Sequence, residues 1–147
     1  MASIPVYGSQ YIRFQETFPN VGAAAVPAHR VVAIDQDAAG GPELVVVSEA
    51  AGATFTHVGV NQFEILAEAD TSAAQGVRVA GVATAGLLLI EADTANAPAA
   101  GADLTVDNVG RVSDVGALGT NHFAVVIDGK TPTIRKIEGD FALVSFG

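Results

Sequence analysis

Three histidines, His29, His57 and His122, are the first candidates for catalysis or metal binding. Imidazole changes charge near neutral pH without help from its surroundings, and it is the commonest metal ligand. Each stands alone here. None has a second histidine at i+2 or i+4, and no cysteine exists to complete a zinc set or act as a thiol nucleophile. They read as structural or surface residues. No serine lies in a Gly-x-Ser-x-Gly elbow, and Ser145, in Leu-Val-Ser-Phe-Gly, falls in a strand pattern. Gly116-Ala-Leu-Gly119 does not run on into Gly-Lys-Ser/Thr, and Gly40-Gly41 is followed by Pro42 and Glu43, so no phosphate-cradling loop is encoded. Asp35-x-Asp37 with Gly40 and Glu43 has the carboxylates of a calcium loop without its spacing or closing glutamate. A solvated turn is the simpler reading, with calcium an opportunistic ligand at most. No catalytic, cofactor-binding or metal residue is assigned, and the expected protein is not an enzyme.

The elements around these residues read as short β-branched runs separated by turn chemistry. Arg30-Val-Val-Ala-Ile-Asp35 and Glu43-Leu-Val-Val-Val-Ser48 form a hairpin around a Gly-Gly-Pro loop. Thr54 to Val60 alternates, with Phe55 and His57 on one face. Asn61 to Asp70 fits a short helix or an irregular strand equally well, and Asp70 to Gly76 is a loop or a single turn. The most apolar stretch, Val77 to Ile90, carries Arg78 and internal glycines and ends at Glu91. It is too interrupted for a membrane-spanning helix and reads as two buried strands, Val77–Ala83 and Gly86–Glu91, joined at a turn. Asp103–Asp107 and Arg111–Ser113 flank the tight turn Asn108-Val-Gly110. Phe123–Asp128, Thr133–Glu138 and Phe141–Phe146 complete roughly nine strands. Two of the joints between them, Asp128-Gly129 and Gly139-Asp140, are turn pairs. The expectation is an all-β fold, a single compact β-sandwich or barrel of short antiparallel strands over residues 30–147.

Residues 1–29 differ from this body. They hold Tyr7, Tyr11, Phe14 and Phe18, four of the nine aromatic residues, and three of the six prolines, with no sustained period. We read them as an extended N-terminal arm. It either folds back on its own domain or lies on a neighbouring subunit or partner, where aromatic side chains are the usual anchors.

Composition narrows the class further. The chain has 147 residues, 50% of them hydrophobic, with 7 Lys+Arg against 16 Asp+Glu and a net charge of -9. Disorder needs the opposite balance, low hydrophobicity with high charge. So acidic a chain is repelled by phosphate, which argues against a nucleic-acid partner. Mean hydropathy is +0.40, but Ala, Val and Gly produce it rather than any continuous apolar span. The first residues have neither the basic start nor the apolar core of a secretory signal. No membrane partner is expected.

The most distinctive stretch is Ala97-Pro-Ala-Ala-Gly-Ala-Asp-Leu-Thr-Val-Asp-Asn-Val-Gly-Arg-Val-Ser113. It resembles the hairpin of small tailed-bacteriophage head decoration, or capsid cement, proteins: small residues, Ala-Gly, a short strand, then Asp-x-x-Gly-Arg/Lys-Val-Thr/Ser. Val26-Pro-Ala-His-Arg-Val-Val-Ala-Ile-Asp35 is similar to the opening strand of that group, and Gly76-Val-Arg-Val-Ala-Gly-Val-Ala-Thr-Ala-Gly86 to its glycine-separated β pair. The resemblance spans roughly Val26 to Asp128, and the aromatic arm and the Phe55–Asp70 segment depart from it. It implies a virion protein, made in the bacterial host cytoplasm, that joins the outer capsid surface after the head expands. There it would bind the major capsid protein as a homotrimer at three-fold or quasi-three-fold positions, clamp neighbouring capsomers and use no cofactor. Tyr7, Tyr11, Phe14 and Phe18 are the residues expected to contact capsid or a neighbouring subunit. The competing expectation is a small β-sandwich module of a tail or fibre that recognises carbohydrate or protein; the absence of Trp and the presence of only two Tyr tell against sugar.

Overall fold

The computed structural model describes residues 11–19, 26–35, 43–46, 56–62, 79–114 and 122–147. Tyr7, the Asp37 to Pro42 turn and the Phe63 to Gly76 stretch lie outside them. The described chain is all-β. Its strands are β1 (Tyr11–Pro19), β2 (Val31–Asp35), β3 (Glu43–Val46), β4 (Thr56–Asn61), β5 (Val79–Glu91), β6 (Thr105–Asp107), β7 (His122–Ala124), β8 (Thr133–Glu138) and β9 (Phe141–Phe146). No helix among the described residues is long and apolar enough to cross a membrane.

Seven strands form one antiparallel sheet in the order β3-β2-β4-β5-β9-β8, with β1 on β5; β6 and β7 form a separate two-stranded ribbon. The organising element is β5. Its Ala83 pairs with both Val60 of β4 and Gln15 of β1, and its Gly86 with both Phe146 of β9 and Ile12 of β1. A strand has two edges, so β4 and β9 share one edge of β5 in succession and β1 occupies the other. This corrects the expected pair of strands joined at a turn: Val79 to Glu91 is one 13-residue strand. Glycine was read there as a turn signal, but Gly86 serves close backbone approach. A Cβ on it would collide with the Tyr11 carbonyl oxygen and the Arg13 amide of β1.

The core lies between this sheet and the layer that carries the ribbon. Val31, Ala33, Val60, Ala83, Leu88, Ile90, Ile134, Ala142, Val144 and Phe146 of the sheet cluster with Leu104, Val106, Val112 and Val125. Val31 and Ala33 of β2, Leu88 and Ile90 of β5, and Ala142, Val144 and Phe146 of β9 follow the two-residue period of β structure, so one face of each is buried against the second layer. At Leu88, Leu89 and Ile90 both faces of β5 are buried.

Turn chemistry fixes the C-terminal elements. Ile127 and Lys130 exchange backbone hydrogen bonds of 2.9 and 3.0 Å across Asp128-Gly129, both with positive φ (51° and 73°), a two-residue type I′ hairpin. Gly139 (φ 56°) occupies the first central position of the turn between β8 and β9, the place where a type II′ turn requires glycine. Strand β8 ends the sheet. Its first half is covered by backbone bonds from residues 101–104, and its pairing with β9 is irregular between Ile134 and Lys136.

Candidate functional site

Two of the histidines, His29 and His57, are partly buried. His29 closes the turn that leads into β2, with φ 58°. Its amide donates to Asn61 and its carbonyl accepts from Glu91. The ring stands edge-on to Phe141 at 5.5 Å, and Nδ1 lies 3.3 Å from the Leu89 carbonyl oxygen. Burial holds its pKa below 6.5, against a smaller upward pull from that carbonyl and from Glu91. Burial also lowers the pKa of His57. His122 lies in β7, so the three histidines fall in separate elements. Among the described residues no three His, Asp or Glu side chains gather closely enough to hold a metal ion.

A pH dependence follows. Both histidines bind protons less readily folded than unfolded, so the unfolded state takes up more protons as pH falls and stability rises with pH. Stability should be complete above about 6.5, the unfolded value, and decline as pH drops toward the depressed folded values. Urea midpoints at pH 7.5 and 5.5 would show the decline, and His29→Asn, which tolerates positive φ, should flatten it.

Among the described carboxylates, Glu91, Asp93 and Asp107 serve turns and ion pairs. Arg30, at the start of β2, donates from Nε (3.1 Å) and Nη2 (2.9 Å) to Glu91 Oε2 at the end of β5, and from Nη1 to the Val109 carbonyl at 3.0 Å. Asp107 organises the loop that follows β6. Its Oδ1 accepts from the amides of Val109 (3.0 Å) and Arg111 (2.9 Å), and its Oδ2 takes the Arg111 Nε at 2.8 Å. Gly110 (φ 80°) completes the reversal. The Asp-x-x-Gly-Arg motif is thus a self-capping turn. Its return segment meets β6 through a single bridge, Val106 to Val112, while the regular partner of β6 is β7. The segment before it contains one turn of 3-10 helix, Thr94–Asn96, capped by Asp93. Hydrogen bonds, chiefly from the Asn96 amide, lower the Asp93 pKa.

The remaining candidates are the aromatic residues of the N-terminal segment. Tyr11, Phe14 and Phe18 fall on β1, which lies along β5 with Tyr11 opposite Leu87 and Phe18 opposite Ala80. Tyr11 is 65%, Ile12 37% and Phe14 55% exposed, and Arg13, Gln15 and Glu16 are exposed as well. Each of residues 11–16 is exposed. Apolar residues scattered singly on a surface are ordinary; here Tyr11 and Ile12, consecutive in the strand, leave on opposite faces, so large apolar side chains are exposed on both sides of β1 within residues 11–14. Ile12, exposed between Tyr11 and Phe14, is not among the candidates the sequence offers, because nothing in the aperiodic arm marks which aliphatic side chains lie on the surface. Compared with protein families, curated proteins and solved structures, the chain matches none.

Proposed function

We propose that this chain is a non-catalytic head-decoration protein of a tailed bacteriophage, which binds the outer surface of the expanded shell and holds neighbouring capsomers together. The observation that carries the proposal is strand β1, with Tyr11, Ile12 and Phe14 exposed, held by backbone pairing on a β body. The resemblance of Ala97–Ser113 to the decoration hairpin supports it from the sequence. In this reading Tyr11, Ile12 and Phe14 meet the major capsid protein, or a neighbouring copy within a trimer.

The mechanism is thermodynamic. A ligand that binds the expanded shell and not its precursor stabilises the expanded form by mass action. Copies joined as a trimer engage several sites at once, and high effective concentration turns modest single contacts into slow release. The chain's net charge of -9 keeps such a surface from collecting stray nucleic acid.

The test is sedimentation with expanded empty heads of the cognate phage, followed by heating. The intact chain should co-sediment at a symmetric stoichiometry and raise the temperature at which heads come apart. Truncating two interface aromatics costs about 2 kcal/mol each, so the double variant Tyr11→Ser/Phe14→Ser should bind about a thousandfold more weakly while its far-ultraviolet spectrum stays unchanged. Equal binding by the double variant would remove β1 from the interface. Absence of binding by the intact chain would remove the proposal.

A further inference from the structure

Strand β1 and the chain that follows it stand on opposite edges of β5. At Val82 of β5 the partner on one edge is Glu16 of β1, and on the other it is Asn61 of β4. The Asn61 Nδ2 donates to the carbonyl oxygens of Val26 (3.2 Å) and Pro27 (3.1 Å), so the body resumes on the β4 side. Pro19, the last residue of β1, is paired with Val79 on the other side. The seven steps of chain from Pro19 to Val26 span up to about 25 Å when extended. That covers the two strand spacings, about 10 Å, that separate the edges of one β5. It equally reaches the edge of a β5 in a second body standing alongside.

We propose that β1 is exchanged between copies of this chain, so that the β1 of one copy pairs with the β5 of the next. Fit identifies the occupant. Eight residues of β1 are in register along Val79 to Leu87, and the missing side chain of Gly86 makes room for the Tyr11 carbonyl oxygen and the Arg13 amide. A second copy brings the same strand, so exchange keeps each of these contacts at little cost. It also keeps the bond from Arg13 Nη2 to the Gly147 oxygen, 2.9 Å long. What exchange adds is burial. On its own body each of residues 11–16 is exposed, Tyr11 and Phe14 by more than half. When β1 bridges two bodies, these side chains lie at the seam between them, and apolar surface leaves water with no hydrogen bond given up. This inference rests on the reading of β1 as a contact strand, and it selects the neighbouring copy as the partner.

Disulfide trapping tests it directly, because the chain has no cysteine. The full-length double variant Tyr11→Cys/Leu87→Cys places thiols on an opposed pair of β1 and β5, and Thr17→Cys/Gly81→Cys does so at a second pair that leaves the aromatics intact. Each is oxidised at micromolar concentration and run on a denaturing gel without reductant. Covalent dimers or trimers are expected, and reductant should return them to single chains. Singly substituted Tyr11→Cys and Leu87→Cys chains, carrying tags of different length, are then unfolded together and refolded. They should link to each other about tenfold more than either links to itself. Single chains with both thiols consumed, at either pair, would overturn the proposal. So would free thiols at both pairs, or single variants that link to themselves as readily as to each other. Head binding separates this inference from the capsid reading. Chains locked to themselves that still co-sediment with heads remove the exchange alone, and locked oligomers that fail to co-sediment remove the capsid reading alone.

Discussion

Gly86→Ala is expected to lower the stability of this chain by about 3 kcal/mol, far more than one methyl group ordinarily costs. Two effects combine at this position. The backbone has φ 120°, a conformation that side-chain-bearing residues rarely adopt, and the added Cβ would collide with the backbone of Tyr11 and Arg13. Backbone atoms of a paired strand cannot swing aside as a flexible side chain would, so β1 must lift from β5. Gly101→Ala is the matched control. Gly101 also has positive φ (91°), but nothing lies within 4 Å of its added Cβ, so strain alone should cost about 1 kcal/mol. Urea unfolding of the two variants beside the parent measures the difference. Equal costs would mean that β1 does not approach β5 as closely as described.

Asp107→Ala should cost about 2–3 kcal/mol, because it strips three hydrogen bonds from one loop and leaves their donors behind. The Asp107 side chain is 6% exposed and that of Arg111 34% exposed, so the freed guanidinium recovers part of its hydration and the loss stays below that of a fully buried pair. Asp107→Asn retains an oxygen for the two backbone amides and gives up the charge; it should cost about 1 kcal/mol. Thermal unfolding of the two variants tests this order. A near-neutral Asp107→Ala would mean that Gly110 alone holds the reversal.

These two residues also mark how much of the fold was legible in the sequence. The Asp107 turn was visible because its parts lie within five positions and its chemistry is local. The same holds for Asp128-Gly129 and for β2, β8 and β9, whose β-branched runs end at glycine or acidic turn residues. Strand β1 carried no such signal. Alternation records the burial of one face, and over residues 11–16 neither face is buried, so no pattern was imposed. In β5 the glycines were visible, but their role depended on which strand lay alongside. That strand is about 75 positions away: Tyr11 meets Leu87. The Arg30–Glu91 pair shares this character, since topology alone brings its two parts together. The aromatic candidates were found by clustering, which needs no knowledge of pairing.

The outer half of β8 has a further consequence. An open sheet edge is a template on which copies of a protein can stack into fibres, and the hazard grows with local concentration. Past the stretch covered by residues 101–104, this edge bears the exposed Arg135 and Lys136 at an irregular step in its pairing with β9. The step breaks the even spacing that a second strand would need, and two adjacent cations repel their counterparts on another copy. Many copies of the chain can therefore stand close together without polymerising through this edge.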